Sequence, residues 1–453
     1  MRTLRSFTRF TSIITFALLA PLAACSSAPP IEPAPPQPPP AQSPQTPGTA
    51  AAPAPAVKPP RADAKLIPRD VLFGNPERAA PRISPDGKQI AFLAPDQGVL
   101  NVWVAPADKP ADAKVVTKDR KRGVRVFFWP YDGQHLLYLQ DKDGDENFHL
   151  YAANLKSGET KDLTAVDGVR AQVVSVSDKI PGEVLVGLND RDKKYHDLHR
   201  VNLKTGERKL VYKNERFAEV VADDDFKPRL GMQMTADGGT ELFDLSGKEP
   251  KSFVKVAQED SLTTSPIGYD ASGKILYFTD SRGRDTAALV TLNAQGKPTV
   301  LAEDPKADME QGVFHPKTGK VQAGISAYDR RGWHVVDKAI QPDLDYLKTV
   351  ADGDFDIISR SLDDKKWTVG YMLSNGPVRY YLYDRAKKKA EFLFTNNKKL
   401  ESLELSKMHP VIIKSRDGLD LVSYLSLPPS ADKDGDGRPA QPLPMVLLVH
   451  GGP

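Results

Sequence analysis

Residues 450–453, His-Gly-Gly-Pro, form a glycine-rich turn directly after an unbroken apolar run at 445–449. Because glycine has no side chain, the backbone at such a turn can come close to a substrate carbonyl. Its N–H groups can then point at an oxygen that gains negative charge during acyl transfer. This pattern indicates an oxyanion loop formed by His450, Gly451 and Gly452. An ordinary turn after a buried strand explains the same residues equally well.

Two acidic clusters are further candidates for chemistry. The first contains Asp141, Asp143, Asp145 and Glu146. Its simplest interpretation is an exposed loop, and its functional interpretation is a contact of Asp145 and Glu146 with the N-terminal amine of a peptide substrate.

The second cluster is the Asp-Lys-Asp-Gly-Asp-Gly run at 432–437, which resembles the start of a calcium loop. A calcium loop of this kind needs a bidentate glutamate at its twelfth position, and Leu443 stands there. We therefore predict a solvated turn and no metal site.

His196 and His199 are three residues apart and would share a metal on a helix. They lie at the start of a predicted strand, where this spacing puts them on opposite faces. We interpret both as structural residues, and the sequence predicts no metal and no cofactor.

The apolar run at 445–449 predicts a strand that is buried on both faces of a sheet. Before it, residues 410–415 and 419–427 read as two strands around an Arg-Asp-Gly turn, and a polar loop follows at 428–444. A parallel sheet needs covering helices, and the sequence contains none after the strand. We therefore expect the sequence to be the front part of a longer protein.

Composition excludes some classes of function. The formal charge is +3, and Arg2, Arg5 and Arg9 account for this excess. The rest of the chain is close to neutral, which argues against a nucleic-acid partner because nucleic-acid binding needs a basic patch. The single cysteine, Cys25, rules out a disulfide within the chain.

The N-terminus reads as an export signal. Residues 1–24 combine a basic start, a short apolar core and small residues, which is typical of a secretory signal peptide. The sequence Leu-Ala-Ala-Cys at 22–25 is similar to a bacterial lipobox, in which Cys25 would be acylated and hold the protein on a membrane. A plain signal peptide with a chance cysteine is the alternative. Residues 25–61 are rich in proline and alanine and predict an extended tether.

Internal repeats dominate the middle of the chain. A strand, a tight turn and a strand occur at 83–92 and recur at 128–138, at 269–278 and, more weakly, at 315–321. A second hairpin unit lies between these copies, and two hairpins make one four-stranded sheet. The predicted sheet starts, at Ile83, Phe127, Val173, Glu219, Pro266, Gly312 and Ile357, are about 44 to 47 residues apart, which is typical of propeller blades.

The fold class predicted from these features is mostly β: a seven-bladed β-propeller followed by the first strands of an incomplete α/β-hydrolase domain. The predicted boundaries are a lead-in segment at 62–81, the propeller at 82–396 and the hydrolase start at 397–453. An array of β-sandwich domains is the alternative fold, which the even period disfavours.

The chain resembles the front part of a prolyl-oligopeptidase-family serine peptidase, in the acylaminoacyl-peptidase and dipeptidyl-peptidase-like branch. Three features carry the resemblance: the segment at 67–76 leading to Ile-Ser-Pro-Asp-Gly at 83–87, the Asp-Gly-Asp-Glu-Asn stretch at 143–147, and the join from the propeller to Val-His-Gly-Gly-Pro at 449–453. It covers residues 66–453.

The resemblance implies a propeller that limits access to a hydrolase domain, and cleavage of oligopeptides through a serine acyl-enzyme. It implies no cofactor. The serine, aspartate and histidine of the family match no position in this chain, so it is expected to be inactive alone. Some relatives use a tyrosine hydroxyl in the oxyanion loop, and this position matches His450, which leaves N–H donation to Gly451 or Gly452.

Two functions of different classes follow. The first is the N-terminal portion of an exported, lipid-anchored peptidase that faces the periplasm. The second is a non-catalytic, lipid-anchored propeller used for binding or assembly, because propellers host many functions. The segment at 410–453 favours the peptidase, since a binding propeller has no use for a hydrolase-type strand. The sequence leaves the oligomeric state open.

Overall fold

A computed structural model describes residues 66–449. Within this range, seven consecutive sheets and one two-stranded hairpin are formed by 29 strands. Each sheet is built from strands that follow one another in the chain, so every blade is an antiparallel meander. The predicted seven-bladed β-propeller is thus confirmed, including its fourth blade, whose sequence pattern is the least regular.

The first four blades have four strands each. They are Ala79–Ile83 (β1), Gln89–Asp96 (β2), Val99–Pro106 (β3) and Lys114–Val115 (β4); Val126–Phe128 (β5), His135–Gln140 (β6), His149–Asn154 (β7) and Thr160–Asp162 (β8); Ala171–Val176 (β9), Glu183–Leu188 (β10), Asp197–Asn202 (β11) and Arg208–Tyr212 (β12); and Glu219–Ala222 (β13), Pro228–Met234 (β14), Thr240–Asp244 (β15) and Lys251–Val256 (β16).

Of the other three blades, blades five and seven have four strands and blade six has three. They are Ser265–Tyr269 (β17), Leu276–Asp280 (β18), Ala288–Leu292 (β19) and Pro298–Ala302 (β20); Met309–Phe314 (β21), Val321–Ala327 (β22) and Arg331–Val335 (β23); and Asp354–Arg360 (β24), Lys366–Met372 (β25), Arg379–Asp384 (β26) and Lys389–Thr395 (β27).

Blade six has three strands, whereas two hairpins were expected in every blade. After β23 the chain forms the helix Gln341–Leu347, with Pro342 in its first turn, where proline is tolerated. Ile340, Leu344 and Leu347 recur at helical spacing and are all fully buried. This periodicity stabilises a helix packed against blade seven instead of a fourth strand.

Apolar side chains fill the space between neighbouring blades. Each neighbouring pair has its own buried cluster, and the series is cyclic, from blades one and two round to blades seven and one. The last cluster joins Phe92 of blade one to Ile358, Tyr380 and Phe394 of blade seven. Packing between blade faces therefore closes the ring and leaves no long strand edge in the core.

The turn between the first two strands of a blade is stabilised by side chains. In blade one, Ser84 donates to Asp86 at 2.6 Å and accepts from the Gln89 N–H at 2.9 Å. Blade seven repeats this turn with Ser361 and Asp363. Where Gly87 has a φ of +70°, blade seven has Asp364 at +60°, a conformation that aspartate tolerates better than most residues.

The meander topology sorts the loops onto two faces. The turns after the first and third strands lie on one face, so the loops after the second strands and the connections between blades lie on the other, which we call the linker face. It includes the loops at 141–148 in blade two, 328–330 in blade six and 373–378 in blade seven.

A hairpin follows the propeller, formed by Met408–Lys414 (β28) and Asp420–Ser426 (β29). Tyr328 donates to Asp420 at 3.3 Å, the Tyr424 hydroxyl donates to the Asp329 carbonyl at 2.9 Å, and the Met408 N–H donates to Ser374 at 3.3 Å. Because these propeller residues belong to loops of the linker face, the hairpin lies on that face.

The expectation of a buried strand at 445–449 is wrong in this structure. These residues are not assigned to a strand, and their side chains are exposed, with Leu448 92% accessible. A buried strand needs neighbours on both sides to accept its hydrogen bonds, and no strand of residues 66–449 runs beside it. Of the strands predicted for the hydrolase start, the described residues therefore form the exposed hairpin and not the strand at 445–449.

Ahead of the propeller lies the short helix Arg69–Phe73, with Asp70 in its first turn. In residues 66–449 no helix is long and apolar enough to span a bilayer.

Candidate functional site

Several residues predicted to act lie outside the described range. They are the acylation site Cys25 and the oxyanion loop residues His450, Gly451 and Gly452. Within the described residues, the candidate site is therefore the acidic loop of blade two with the residues around it.

The acidic loop joins β6 to β7 on the linker face. Asp145 is exposed but structurally engaged: Oδ1 accepts from the N–H groups of Lys142 at 3.2 Å and Asn147 at 3.1 Å, and Oδ2 accepts from the Asn147 side chain at 3.2 Å. Partial desolvation would raise the pKa of Asp145, but these hydrogen bonds outweigh it and hold the pKa below its ordinary value. Asp145 thus folds the loop around its own carboxylate.

Glu146 is the residue of this loop that is free to meet a ligand. Its side chain is exposed, and it forms no hydrogen bond or ion pair within residues 66–449. Its backbone has a φ of +59°, and Asp143 has +56°, a region that costs energy for residues other than glycine. The loop therefore presents the Glu146 carboxylate in a backbone conformation that the Asp145 hydrogen bonds maintain.

Asp141 adds a buried carboxylate at the base of the same loop. It is 8% exposed, and its Oδ1 accepts from Arg122 Nε at 3.2 Å. Within residues 66–449 its Oδ2 is buried without a hydrogen-bond partner, as is the neighbouring Gln140 Oε1. Unpaired buried acceptors are costly, and they mark places where a donor can bind. Sequence reasoning included Asp141 in the acidic cluster, but its missing partner is visible only in the folded chain.

The acidic run at 432–437 follows the hairpin. Asp432, Asp434 and Asp436 bring one carboxylate oxygen each within 4.8 Å of one another. Asp432 is already engaged, because Oδ2 contacts His409 Nε2 at 2.8 Å and Oδ1 accepts from the Gly437 N–H at 3.0 Å. An acidic turn that is mostly exposed explains this arrangement.

One group at the junction of blades five and six has the composition of a catalytic triad without its geometry. Ser326 Oγ lies 2.8 Å from His334 Nε2 and 2.9 Å from Asp304 Oδ2. In a working triad the acid holds the other ring nitrogen of the histidine, whereas here Asp304 lies 3.4 Å from the same Nε2. Ser326 is also 1% exposed and out of a substrate's reach. The group is a structural hydrogen-bond network.

His196 and His199 behave differently from each other. His199 lies in β11, and its Nδ1 is 3.2 Å from the Asp197 carbonyl. His196 precedes the strand and lines a cavity between blades two, three and four, which sequence reasoning missed. Burial, and then the charge of Arg170, lower the pKa of His196 to about 4, so its ring is neutral near pH 7.

The chain has sequence relatives among known proteins. No protein-family model matches the chain. The chain is 48% identical over 407 residues to dipeptidyl aminopeptidase BIII of Pseudoxanthomonas mexicana, covering 89% of this chain and 59% of that protein. It is 29% identical over 427 residues to dipeptidyl peptidase family member 6 of Caenorhabditis elegans, covering 86% of this chain and 57% of that protein. The chain thus spans less than two thirds of the length of these relatives.

Solved structures share the fold at low identity. A prolyl endopeptidase structure matches with a TM-score of 0.53 at 11% identity, covering 77% of this chain and 54% of that one. A Mycobacterium tuberculosis puromycin-hydrolysing peptidase matches with a TM-score of 0.52 at 13% identity, covering 78% and 59%. At these identities the likeness shows the fold alone.

The chain is a seven-bladed β-propeller protein with a hairpin on its linker face. It is a homologue of dipeptidyl aminopeptidase BIII over the part of that protein that it covers. The predicted family resemblance is confirmed.

Proposed function

We propose that this chain is the propeller-bearing portion of a serine peptidase that cleaves oligopeptides through an acyl-enzyme. The observation that carries the proposal is the 48% identity to dipeptidyl aminopeptidase BIII over 89% of the chain. We place the serine, acid and base in the portion of the relatives that this chain does not cover. By itself the chain is then inactive.

The linker face supports this arrangement. The hairpin lies on it, and apolar side chains of the hairpin, such as Ile413 at 50% and Leu421 at 48%, are exposed. These two residues lie directly opposite each other on the two strands, and exposed apolar neighbours of this kind are typical of a face that another domain covers. A hydrolase domain placed there would face the acidic loop of blade two, since both lie on the linker face.

Within this proposal, the acidic loop binds the N-terminal amine of the substrate. Glu146 is exposed and unpaired within the described residues, and Asp141 has a buried oxygen without a donor. An ammonium group supplies up to three donors and a positive charge, which matches these acceptors. Asp145 holds the loop in shape, so its part is to position Glu146.

We also propose that the protein is exported and held at a membrane through acylated Cys25, facing the periplasm. The proline- and alanine-rich segment at 25–61 would keep the propeller away from the bilayer surface. In a fractionation experiment we expect Cys25→Ser to release the protein from the membrane fraction and to leave the folded domain unchanged. Retention of that variant in the membrane fraction would contradict the anchor.

The peptidase proposal is tested on the natural protein from its own source. After delipidation, a fluorophosphonate probe that labels active serines should react with it, and its intact mass should exceed that of residues 25–453 by roughly 200 residues, a common domain size. Expressed alone, residues 25–453 should neither be labelled nor release a chromogenic dipeptide. An unlabelled natural protein with the mass of residues 25–453 would overturn the proposal in favour of a binding propeller.

A further inference from the structure

A cavity of about 130 Å³ lies where blades two, three and four meet. Its walls include Val126, Leu139 and Phe148 from blade two, His196 from blade three and Ala218 from the start of blade four. These residues lie at or beside the strand ends that reach the linker face. The cavity is therefore on the same face as the acidic loop, and Leu139 and Phe148 flank that loop directly in sequence.

The lining is mostly apolar but has a small set of polar groups. His196 Nε2 is buried and has no hydrogen-bond partner among the residues that the structure describes. The Arg170 guanidinium stacks 6.0 Å from the Phe148 ring centroid and has no acidic partner within residues 66–449. Asp197, which follows His196 in the chain, is already paired with Arg191, whose Nε and Nη2 donate to it at 2.7 Å and 2.8 Å.

This pattern is that of a binding site rather than of a packing defect. Packing defects are lined by apolar atoms and leave no polar group to satisfy, whereas ligand sites combine apolar walls with a few convergent polar groups. The unpaired His196 nitrogen and Arg170 charge are such groups. The buried His196 nitrogen is costly in the free protein, and a ligand that pairs with it recovers that cost. Arg170 is partly exposed, and its guanidinium has donors to offer the same ligand.

The chemistry of the lining restricts the ligand. Arg170 and Glu219 both line the cavity, so their charges balance and favour a neutral group. A neutral imidazole either donates or accepts at Nε2, and a peptide group offers both an acceptor and a donor. An apolar cavity of about 150 Å³ holds benzene, so this one has room for one apolar side chain.

We propose that this cavity is a specificity subsite that takes one apolar side chain of an oligopeptide, with His196 and Arg170 bonding to the adjoining peptide group. The inference rests on the proposed function, because it takes the ligand to be a peptide. Residues of blades two to four of the propeller would then select which substrate side chain is accepted.

Gly187 lines the cavity, so replacing it by alanine places a methyl group in the wall. A Cβ at this position would lie 3.1 Å from the His196 Cβ and 3.8 Å from the Gln172 Cβ, so alanine would push against His196 and make ordinary contact with Gln172. Gly182 in the same blade has no atom within 4 Å of such a Cβ and does not line the cavity, which makes Gly182→Ala a matched control. His196→Leu keeps the apolar volume and removes the nitrogen.

Binding is measured by calorimetry on residues 25–453, with tetrapeptides in which one position at a time is Leu, Gly or Glu. We expect one position at which Leu binds at least about tenfold more tightly than Gly or Glu. Gly187→Ala should abolish this preference, His196→Leu should weaken the Leu peptide roughly three- to tenfold, and Gly182→Ala should change neither. Circular dichroism verifies that each variant is folded.

The outcomes separate this inference from the function on which it rests. Peptide binding without a preferred position, or a preference that survives both cavity variants, overturns the subsite while leaving the peptidase proposal intact. Failure of the unaltered chain to bind any peptide overturns the subsite too, and labelling of the natural protein by the serine-directed probe then decides the peptidase proposal on its own. If Gly187→Ala does not fold, His196→Leu alone carries the test.

Discussion

Lys366 Nζ donates a hydrogen bond to the Gly87 carbonyl at 3.0 Å, joining residues that are 279 positions apart. It belongs to a set of polar contacts between the last and the first blade. The Leu362 N–H donates to the Pro85 carbonyl at 2.7 Å, and the Ile83 N–H donates to Ser359 Oγ at 2.8 Å. These bonds and the shared apolar cluster together hold blade seven against blade one and close the ring.

Ser359→Ala tests the buried part of this closure. Ser359 is 6% exposed, and its loss leaves the Ile83 N–H without an acceptor in a dry environment. We expect the free energy of unfolding to fall by about 1–3 kcal/mol in a denaturant titration. Ser246→Ala, at an exposed turn serine, should change it by less than about 0.5 kcal/mol. Equal effects of the two exchanges would show that the Ser359 bond contributes nothing to closure.

Gly353 has no room for a side chain. Its φ is +95°, and a Cβ there would lie 2.2 Å from the carbonyl oxygen of Met372, a backbone atom that cannot move aside cheaply. Gly353→Ala should therefore destabilise the protein by more than about 3 kcal/mol or prevent folding. Gly133→Ala, with a φ of +66° and open space around it, should cost only about 1 kcal/mol. Thermal unfolding of both variants measures the difference, and similar melting temperatures would contradict it.

His196 makes stability depend on pH. Its pKa is lowered from 6.5 to about 4 in the folded chain, so the unfolded chain binds the additional proton between these values. Stability is therefore complete above about pH 6.5 and decreases as the pH falls towards 4, by up to roughly 3 kcal/mol.

His196→Gln should remove this part of the pH dependence, because glutamine does not titrate. The measurement is the free energy of unfolding at pH 7 and at pH 4.5 for the unaltered chain and the variant. His199→Gln is the matched control, since His199 does not line the cavity. An unchanged loss of stability in His196→Gln would refute the assignment.

The amine contact of the acidic loop predicts a charge-dependent effect. Glu146→Gln should weaken the binding of a peptide with a free N-terminus by about tenfold, because it removes a carboxylate partner of the ammonium group. The same peptide with an acetylated N-terminus should bind both forms equally. Glu159→Gln, an exposed acid in a turn on the opposite face, should leave both affinities unchanged.

Asp145→Asn separates positioning from contact. Asparagine cannot accept at both side-chain atoms, so the loop loses the bond from the Asn147 side chain or those from the backbone. We expect the free-amine peptide to bind more weakly and the loop amides of 142–147 to exchange faster in hydrogen-exchange measurements. Weaker binding with an unchanged exchange rate would mean that Asp145 touches the ligand itself.

The sequence by itself determined the blade count, the positions of the blades and the family resemblance. Each blade is a local unit of about 45 residues in which alternating apolar residues and glycine turns lie close together in the chain, so the pattern can be read without the fold. The structure departs from the repeat in two places. Asp364 of blade seven adopts the backbone conformation that Gly87 has at the matching turn of blade one. The helical spacing of Ile340, Leu344 and Leu347 produces a helix in blade six.

The tertiary structure alone decided which side chains meet. The acidic loop and the hairpin are some 260 residues apart and share a face only because meander turns alternate between two faces. His196 lies among residues of three blades, and its missing partner cannot be inferred from a strand pattern that predicts only which face it occupies. The exposed run at 445–449 shows the same principle, since an apolar segment becomes a buried strand only where other strands lie beside it.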